Sequence, residues 1–389
     1  MSLGLNTDLI LATIWSGLIG FLFVRRHLSF ETAAGISFIK VTIPFCYFAW
    51  FYDGQWNFLD DISYFYGGIN FLQKGFTPMN ILLDERGWDS LSALAGGRHI
   101  LYYWWNILGQ YLFGQYYFAP IFLNVMLVFL CSNVVYNIAK VSEFKENYAK
   151  FLLIFVLFHP EITVWSSFVN LKDTLVMTLT ATALYFTILL TKQVNFFNVA
   201  VIGFLVYLFS FIRFYVPVFI FFAFLLWIIF LNTSGKKRVF LFSLVAIIGS
   251  VLAQVMGISE TSEVSRNYLS YTGIFYGIFR MALTPLPWSI DISYSFLLVP
   301  SIIHWILIIP AIFAGINLWR QSTVARLLIL YLMIALVFYG ATEELQGPRH
   351  RVQVTFIVAW LQFHALWMVF HSLFKNSNHS SNCPNVRLR

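Results

Sequence analysis

Apolar runs long enough to cross a bilayer recur along the whole chain, with short polar connections between them. A helix needs roughly 17 to 25 apolar residues to cross about 30 Å of hydrocarbon. The runs lie near residues 8–24, 36–51, 117–138, 150–166, 172–191, 196–212, 214–231, 239–256, 294–316, 327–341 and 353–372. This pattern predicts an all-α, polytopic integral membrane protein with about eleven transmembrane helices.

The connections between these runs are too short to hold a soluble domain, so we expect a single transmembrane domain over residues 1–389. Arg25 and Arg26 follow the first apolar run, whereas a cleaved signal peptide carries its positive charge first, so this run is interpreted as a span. The predicted parts are an additional N-terminal span with a cytoplasmic loop (1–35), a first outer loop (52–116), an amphipathic outer segment (257–293) and a cytoplasmic tail (373–389).

The composition agrees with this class. The chain is 59% hydrophobic and 11% charged, whereas a soluble domain is about 25% charged. The net charge of +7 does not indicate a nucleic-acid partner, because the largest basic cluster, Lys236 to Arg238, lies between two apolar runs. The three cysteines are too scattered to predict a disulfide framework or a metal site. Membrane lipids are the expected surroundings.

The charged connections predict the orientation of the chain. Cytoplasmic loops carry an excess of Lys and Arg, which places the N-terminus outside and the C-terminus inside. With Lys40 counted on the cytoplasmic side, nearly all the acidic residues fall on the opposite face. We expect a bacterial inner (plasma) membrane protein whose active site faces the extracytoplasmic side. The connections interpreted as cytoplasmic contain Arg25 and Arg26, residues 140–150, Lys192, residues 236–238, Arg320 with Arg326, and residues 375–389.

An adjacent acid pair, Asp60 and Asp61, lies in the first outer loop, just before Tyr64. Adjacent residues do not face each other on a helix, so one carboxylate can face a cavity while the other caps the helix. The functional interpretation is a general base or a metal ligand. The alternative is two solvated acids at a helix N-terminus, where they favour the helix dipole.

Two further groups of ionisable residues lie at the edges of apolar runs. Lys172 and Asp173 open one run, and Arg213 separates two others. Ionisable residues at such places are costly to desolvate and tend to be functional. The alternatives are that Asp173 caps its helix and that the two cations reach the membrane surface by snorkelling.

The last outer connection carries Arg349, His350 and Arg351 shortly after Glu344. Two guanidiniums beside an imidazole suit a phosphate, because arginine offers planar forked donors. The alternative is that the neighbouring glutamates neutralise the arginines. Arg280 belongs to an aromatic amphipathic segment that we expect along the outer interface.

Several motifs are absent from the sequence, namely Walker A, GxGxxG, GxSxG and HExxH. Their absence argues against ATP-driven transport, Rossmann cofactors and standard hydrolase sites. The sequence therefore predicts no particular cofactor and no metal-ligating residues. A requirement for a divalent cation is left open.

Taken in order, these stretches resemble the GT-C superfamily of membrane glycosyltransferases, which use polyprenyl-phosphate-linked sugars. Asp60-Asp61-Ile-Ser-Tyr64, with Gly75 and Pro78 downstream, is similar to the first-loop motif of that superfamily. The resemblance covers roughly residues 36 to 372, and the additional N-terminal span departs from the usual pattern. Stretches similar to later landmarks are Tyr111 to Gly114 with Pro120 and Asn124, the segment with Pro160, Trp165, Ser166, Lys172 and Asp173, and Pro348 to Arg351.

The resemblance implies an inverting transfer of a sugar from a polyprenyl-phosphate donor to a glycan, lipid or protein acceptor, in cell-surface polysaccharide assembly. The phosphate is already a good leaving group, so one base, Asp60, can suffice, with Asp61 in support. Glycoside hydrolysis differs, because its poor leaving group needs a second carboxyl as acid. The implied set for binding the lipid phosphate and the substrate is Arg349, Arg351, His350, Lys172, Arg213, Tyr64, Asp173, Glu344 and Arg280.

Three other functions fit the same features. An O-antigen or capsule polymerase would depend mainly on outer-loop arginines and would remain active without Asp60. A lipid-linked glycan transporter would have internal repeats and charges deep within its spans. A noncatalytic assembly subunit is the third alternative.

Overall fold

The chain folds as an α-helical membrane protein. A computed structural model describes residues 6–231 and 273–380 apart from positions 55, 57, 98 and 343–346, and also residues 235, 238, 239, 241 and 243; it leaves out the side chains of 371–380. Within these residues every regular element is helical, and seven helices are long and apolar enough to cross a membrane, or eight if one bent pair forms a single span. The helical membrane class is thereby confirmed, whereas the number eleven stays a prediction.

The helices of the described part follow the apolar runs closely. A π-helical turn (Tyr47–Phe51) extends α2, and 3-10 turns (Ile292–Leu297 and Val352–Val354) precede α14 and α17. In chain order the helices are α1 (Thr7–Val24), α2 (Phe30–Cys46), α3 (Leu59–Gln73), α4 (Pro78–Leu83), α5 (Glu85–Leu94), α6 (Ile100–Phe113), α7 (Phe118–Val141), α8 (Glu146–Phe158), α9 (Pro160–Ser167), α10 (Asp173–Lys192), α11 (Phe196–Ser210), α12 (Val216–Ile229), α13 (Ile274–Leu283), α14 (Leu298–Gln321), α15 (Thr323–Ala341), α16 (Pro348–Arg351) and α17 (Thr355–Ser380).

Three predicted spans differ from the observed elements. The runs 196–212 and 214–231 form α11 and α12, which are shorter than the seven long spans. The run 239–256 lies almost entirely outside the described residues. The prediction that Lys40 lies on the cytoplasmic side is wrong. Because α2 begins at Phe30, this lysine lies near the middle of a span. Its ammonium is buried and donates to the Thr163 hydroxyl at 3.0 Å. This hydrogen bond partly replaces the water contacts that the ammonium loses on burial.

The arrangement of buried and exposed side chains is that of a bundle in lipid. α7 is the most buried span and packs against α1, α8 and α10. Large apolar side chains such as Trp15 on α1 and Ile306 on α14 are exposed. Because a soluble fold does not leave contiguous apolar faces in water, these surfaces are lipid-facing.

The predicted first outer loop contains four short helices, α3 to α6, of which α3 and α6 pack together and α6 packs on α7. The connection predicted around residues 159–173 is mostly helix α9, which meets α8 at a bend of 45°. Pro160 lacks an amide hydrogen and disfavours helical backbone at His159, which causes the bend. As a result Glu161 is directed into the protein, where its side chain is buried.

Candidate active site

Five ionisable residues from distant parts of the sequence meet at one end of the bundle. They form what we call the charged cluster: Asp60, Lys172, Asp173, Arg213 and Arg349. Arg349 joins the two acids, because its Nη1 lies 2.7 Å from Asp60 Oδ2 and its Nε lies 2.9 Å from Asp173 Oδ2. The predicted first outer loop and the connection before α17 therefore contact each other directly.

Asp173 is the buried centre of the charged cluster. It opens α10, and each of its carboxylate oxygens accepts a bond from a different arginine, Arg213 or Arg349. Arg213 is also buried and donates at 3.4 Å to the Tyr339 hydroxyl and to Gln353 Oε1. A buried charge is stable only with partners of this kind. These contacts fix the frame on which the more accessible residues lie.

Lys172 is the cation in the charged cluster that no carboxylate of the described residues pairs with. Its Nζ donates to the Tyr64 hydroxyl at 3.1 Å and lies 5.7 Å from the centre of that ring. Burial lowers the pKa of Lys172 to about 7, and the nearby Arg213 and Arg349 act in the same direction. When Lys172 is protonated, three cations face two carboxylates, an imbalance that favours an anion.

Asp60 is the most accessible carboxylate of the charged cluster, with 48% of its side chain exposed, whereas Arg349 is 16% exposed. Partial burial raises the pKa of Asp60, but the opposite charges of Arg349 and Lys172 outweigh it and leave the pKa below its usual value. Asp60 is therefore ionised at neutral pH. A ligand can approach the cluster along this edge.

Asp61 has entirely different surroundings from its neighbour. Its side chain is fully buried, its Oδ1 accepts the Phe58 amide at 2.9 Å, and its Oδ2 accepts the Tyr117 hydroxyl at 2.5 Å. Burial raises the pKa of Asp61 to about 6, even though these hydrogen bonds oppose the shift. The carboxylate closes the first turn of α3 and so supports Asp60 through the backbone.

A neutral hydrogen-bond network ties the start of α3 to the start of α10. The Tyr117 hydroxyl accepts the Asn170 amide at 3.2 Å, and the Asn170 side chain bonds Asn106 at 2.6 Å and Tyr102 at 2.8 Å. Asn124 donates to the Tyr102 hydroxyl at 3.1 Å. This network was not predicted from the sequence. The available signal was the presence of asparagines within apolar helices, where each amide needs a partner.

Two histidines lie beside the charged cluster. His350 was predicted, and its ring lies 5.7 Å from that of Tyr339. His99 was not predicted; its Nδ1 donates to the Ile212 carbonyl at 3.0 Å. Burial and the nearby Lys172 lower the pKa of His99 to about 4, so this ring is neutral at physiological pH.

Two described residues of the predicted binding set do not join the charged cluster. Arg351 is buried and binds Glu161 instead of facing the site. Its neighbour Arg349 points to the cluster, because side chains two apart on a helix point in nearly opposite directions. Arg280 is exposed in the last turn of α13, and Glu344 lies outside the described residues.

Arg351 belongs to a second group, which we call the buried polar network: Lys40, His159, Glu161, His304, Arg351 and Gln362. His159 Nε2 bonds Gln362 at 2.9 Å, and the Gln362 amide lies 3.3 Å from His304. Arg351 and His304 both donate to the Ala282 carbonyl. All six side chains are buried, so these contacts hold helices together without an accessible edge.

An apolar groove lies between α10, α11 and α12. One end is flanked by Phe209 and Pro217, and the Arg213 amide donates to the Phe209 carbonyl at 2.8 Å, so the groove ends beside the charged cluster. The lining residues are Ala183, Thr187, Leu190, Ile202, Val206, Phe209, Pro217, Ile220, Phe221 and Phe224. This composition suits a hydrocarbon chain.

The described residues do not fit a divalent cation at the charged cluster. No group of three or more His, Cys, Asp or Glu side chains among them could hold a metal ion. Both carboxylates at the cluster already accept arginine hydrogen bonds.

The class of the protein is established by its helices, whereas its family is not. No family model, no curated protein and no solved structure matches the chain. The resemblance to GT-C glycosyltransferases therefore depends on the quoted residues alone. The chain is an α-helical integral membrane protein with an accessible carboxylate beside a buried cluster of cations.

Proposed function

We propose that this chain is an inverting glycosyltransferase that moves a sugar from a polyprenyl-phosphate carrier to an acceptor hydroxyl on the extracytoplasmic face of a bacterial inner membrane. One observation carries the proposal. Asp60, half exposed and ionised, lies 2.7 Å from Arg349, within a cluster whose Lys172 has no carboxylate partner among the described residues. A base and an anion-binding group thus lie together.

The donor phosphate would bind Arg349 and Lys172. Arginine forms forked bonds to phosphate oxygens, and Lys172 supplies a positive charge that the cluster does not otherwise neutralise. Cleavage turns the phosphodiester into a monoester, so negative charge increases on the phosphate. Groups already aimed at that charge stabilise the transition state, usually the largest single contribution to catalysis.

The prenyl chain would occupy the apolar groove between α10, α11 and α12. The groove ends beside Arg213, so a lipid within it would present its phosphate to the charged cluster. Burying methylene groups favours binding by about 0.8 kcal/mol each. The lipid would supply affinity, while the cluster would select for the phosphate.

Asp60 would act as the general base. The acceptor hydroxyl attacks the anomeric carbon, its proton passes to the Asp60 carboxylate, and a new glycosidic bond forms. The bond between the anomeric carbon and the phosphate oxygen breaks, and its electron pair leaves with polyprenyl phosphate. Attack from the face opposite the phosphate inverts the anomeric configuration. A second carboxyl acting as acid is unnecessary, because phosphate leaves readily.

Purified wild-type protein in vesicles, supplied with a panel of polyprenyl-phosphate sugars and candidate glycan, lipid and protein acceptors, tests this proposal. We expect one donor to release polyprenyl phosphate and to form a glycoside of opposite anomeric configuration. Retention of configuration would contradict the single-base mechanism. Turnover of no donor would count against the proposal and in favour of the alternatives.

Two alternative functions each have one supporting observation. The paired arginines of the charged cluster suit a polymerase of lipid-linked repeat units, for which loss of Asp60 would leave activity intact. The buried Lys40 is a charge deep within a span, as expected for a transporter. Movement of a lipid-linked glycan across the vesicle membrane, without cleavage of any bond, would identify a transporter.

A further inference from the structure

Two arginines of the short helix α16 have opposite surroundings. Arg349 reaches the charged cluster, where it contacts Asp60 and Asp173. Arg351, two residues later, points away and is buried against Glu161 of α9. The first arginine is accessible to a ligand and the second is enclosed by protein.

Each of the three guanidinium nitrogens of Arg351 donates a hydrogen bond within the protein. Its Nε and Nη2 donate to Glu161 Oε1 at 3.0 and 2.9 Å, and its Nη1 donates to the Ala282 carbonyl at 2.9 Å. The partners lie on α9 and α13, two elements far apart in sequence. The guanidinium therefore fixes the position of α16 relative to both helices.

α16 is the first turn of a longer helical stretch. It begins with Pro348 and continues through the 3-10 turn Val352–Val354 into α17, and the ends of helices fray unless tertiary contacts hold them. Successive residues are about 100° apart around a helix, so Arg349 and Arg351 project in nearly opposite directions. If Arg351 is fixed in direction, Arg349 is fixed as well.

We infer that Glu161 and Arg351 are positioning residues, which hold α16 so that Arg349 faces the donor phosphate and Asp60. This inference rests on the proposed function, because it assigns a purpose to the orientation of Arg349. Glu161 can take this part because Pro160 bends the α8–α9 span and turns the first residues of α9 inward. A positioning pair enclosed in the bundle touches no substrate itself.

The test compares the binding of polyprenyl phosphate with that of the polyprenol of equal chain length. The ratio of the two affinities measures recognition of the phosphate, and a purely structural effect on folding does not change it in the folded fraction. The key variant is E161L/R351M, because a buried ion pair replaced by apolar residues of similar volume is often as stable as the original. The single variant E161Q leaves Arg351 without its charge partner and can fail to fold, so it serves only as a comparison.

Two further variants separate the inference from the proposed function. R349A should lower the phosphate-to-polyprenol ratio about 100-fold, and E161L/R351M should lower it about 10-fold, as misplacement of a binding group does. In the R349A background, E161L/R351M should cause no further loss, because its effect acts through Arg349.

The outcomes are distinct. An unchanged ratio in R349A would overturn the assignment of Arg349 to phosphate, and with it the proposed function. A reduced ratio in R349A together with a wild-type ratio in folded E161L/R351M would overturn the positioning inference alone. An additional loss when the variants are combined would show that the pair does not act through Arg349.

Discussion

The charged cluster and the buried polar network both place ionisable side chains within the helical bundle, yet they differ in access. In the cluster, Asp60 is 48% exposed and Arg349 is 16% exposed. In the network, Lys40 is fully buried, and the ion pair of Arg351 with Glu161 is nearly so. Charge within the membrane part therefore does not by itself identify a binding site. A binding site also needs an accessible edge and a cation that no carboxylate neutralises.

The same contrast holds between the adjacent acids. Asp60 is half exposed and paired with an arginine, whereas Asp61 is enclosed and accepts bonds from a backbone amide and a tyrosine. One carboxylate can therefore serve chemistry while the other maintains the local fold. We therefore expect substitution of Asp60 to change activity and substitution of Asp61 to change mainly stability.

Among the cations, the largest effect is expected for Arg349→Ala. This change removes a phosphate ligand that also stabilises charge in the transition state, so kcat/KM for the lipid-linked donor should fall by about 10³-fold. Arg349→Lys is the matched variant; it keeps the charge but loses the forked geometry and should recover only part of the activity. Steady-state transfer by folded protein measures both. Wild-type activity in Arg349→Ala would show that the charged cluster is not the active site.

A smaller effect is expected for Lys172, and it should depend on pH. The pKa of Lys172 is lowered to about 7, so the side chain is protonated below that pH and loses its charge above it. The donor phosphodiester stays anionic throughout. Its affinity for the wild type should therefore fall as the pH rises through about 7, by about 10-fold for loss of one charged hydrogen bond.

Lys172→Met should show that lower affinity at every pH, because it removes the titrating charge. Donor binding between pH 5 and 9, measured on wild type and variant in parallel, makes this comparison. A pH dependence that persists unchanged in Lys172→Met would assign the titration to another group. Bound phosphate should also raise the pKa of Lys172, which shifts the midpoint upward at high donor concentration.

The smallest effect is expected for Lys40→Met, the counterpart of Lys172→Met in the buried polar network. The Lys40 side chain donates to the Thr163 hydroxyl and is fully buried. An apolar chain of similar length should keep unfolding free energy within about 1 kcal/mol and leave the transfer rate unchanged. Thermal unfolding and transfer assays measure these. A large loss of function with an intact fold would instead favour the transporter interpretation.

The sequence was sufficient to predict the helical membrane class, because apolar runs of this length have few other uses. It also pointed to Asp60, Lys172, Asp173, Arg213 and Arg349 before their contacts were known. Ionisable residues at the ends of apolar runs need partners, and a common predicted side limits which partners they can find. The structure brings these five together.

The rest depended on details that hydropathy does not contain. The direction of Arg351 depends on the rotation of the helical turn α16. Its partner Glu161 faces inward because the span bends at Pro160. The bonds of Tyr117 and Asn170 depend on how α3, α7 and the start of α10 pack. Polar partners of this kind are selected by tertiary packing, so neither their spacing nor their charge reveals them in the sequence.

The role of Asp60 as general base is tested most directly by a single-turnover measurement on wild type and Asp60→Asn, each loaded with donor and then mixed with acceptor. Loss of the general base should slow transfer by about 10²- to 10⁴-fold. Donor affinity should not weaken, since Asp60 no longer competes with phosphate for Arg349. Transfer by folded, donor-loaded Asp60→Asn at the wild-type rate would show that Asp60 is not the general base.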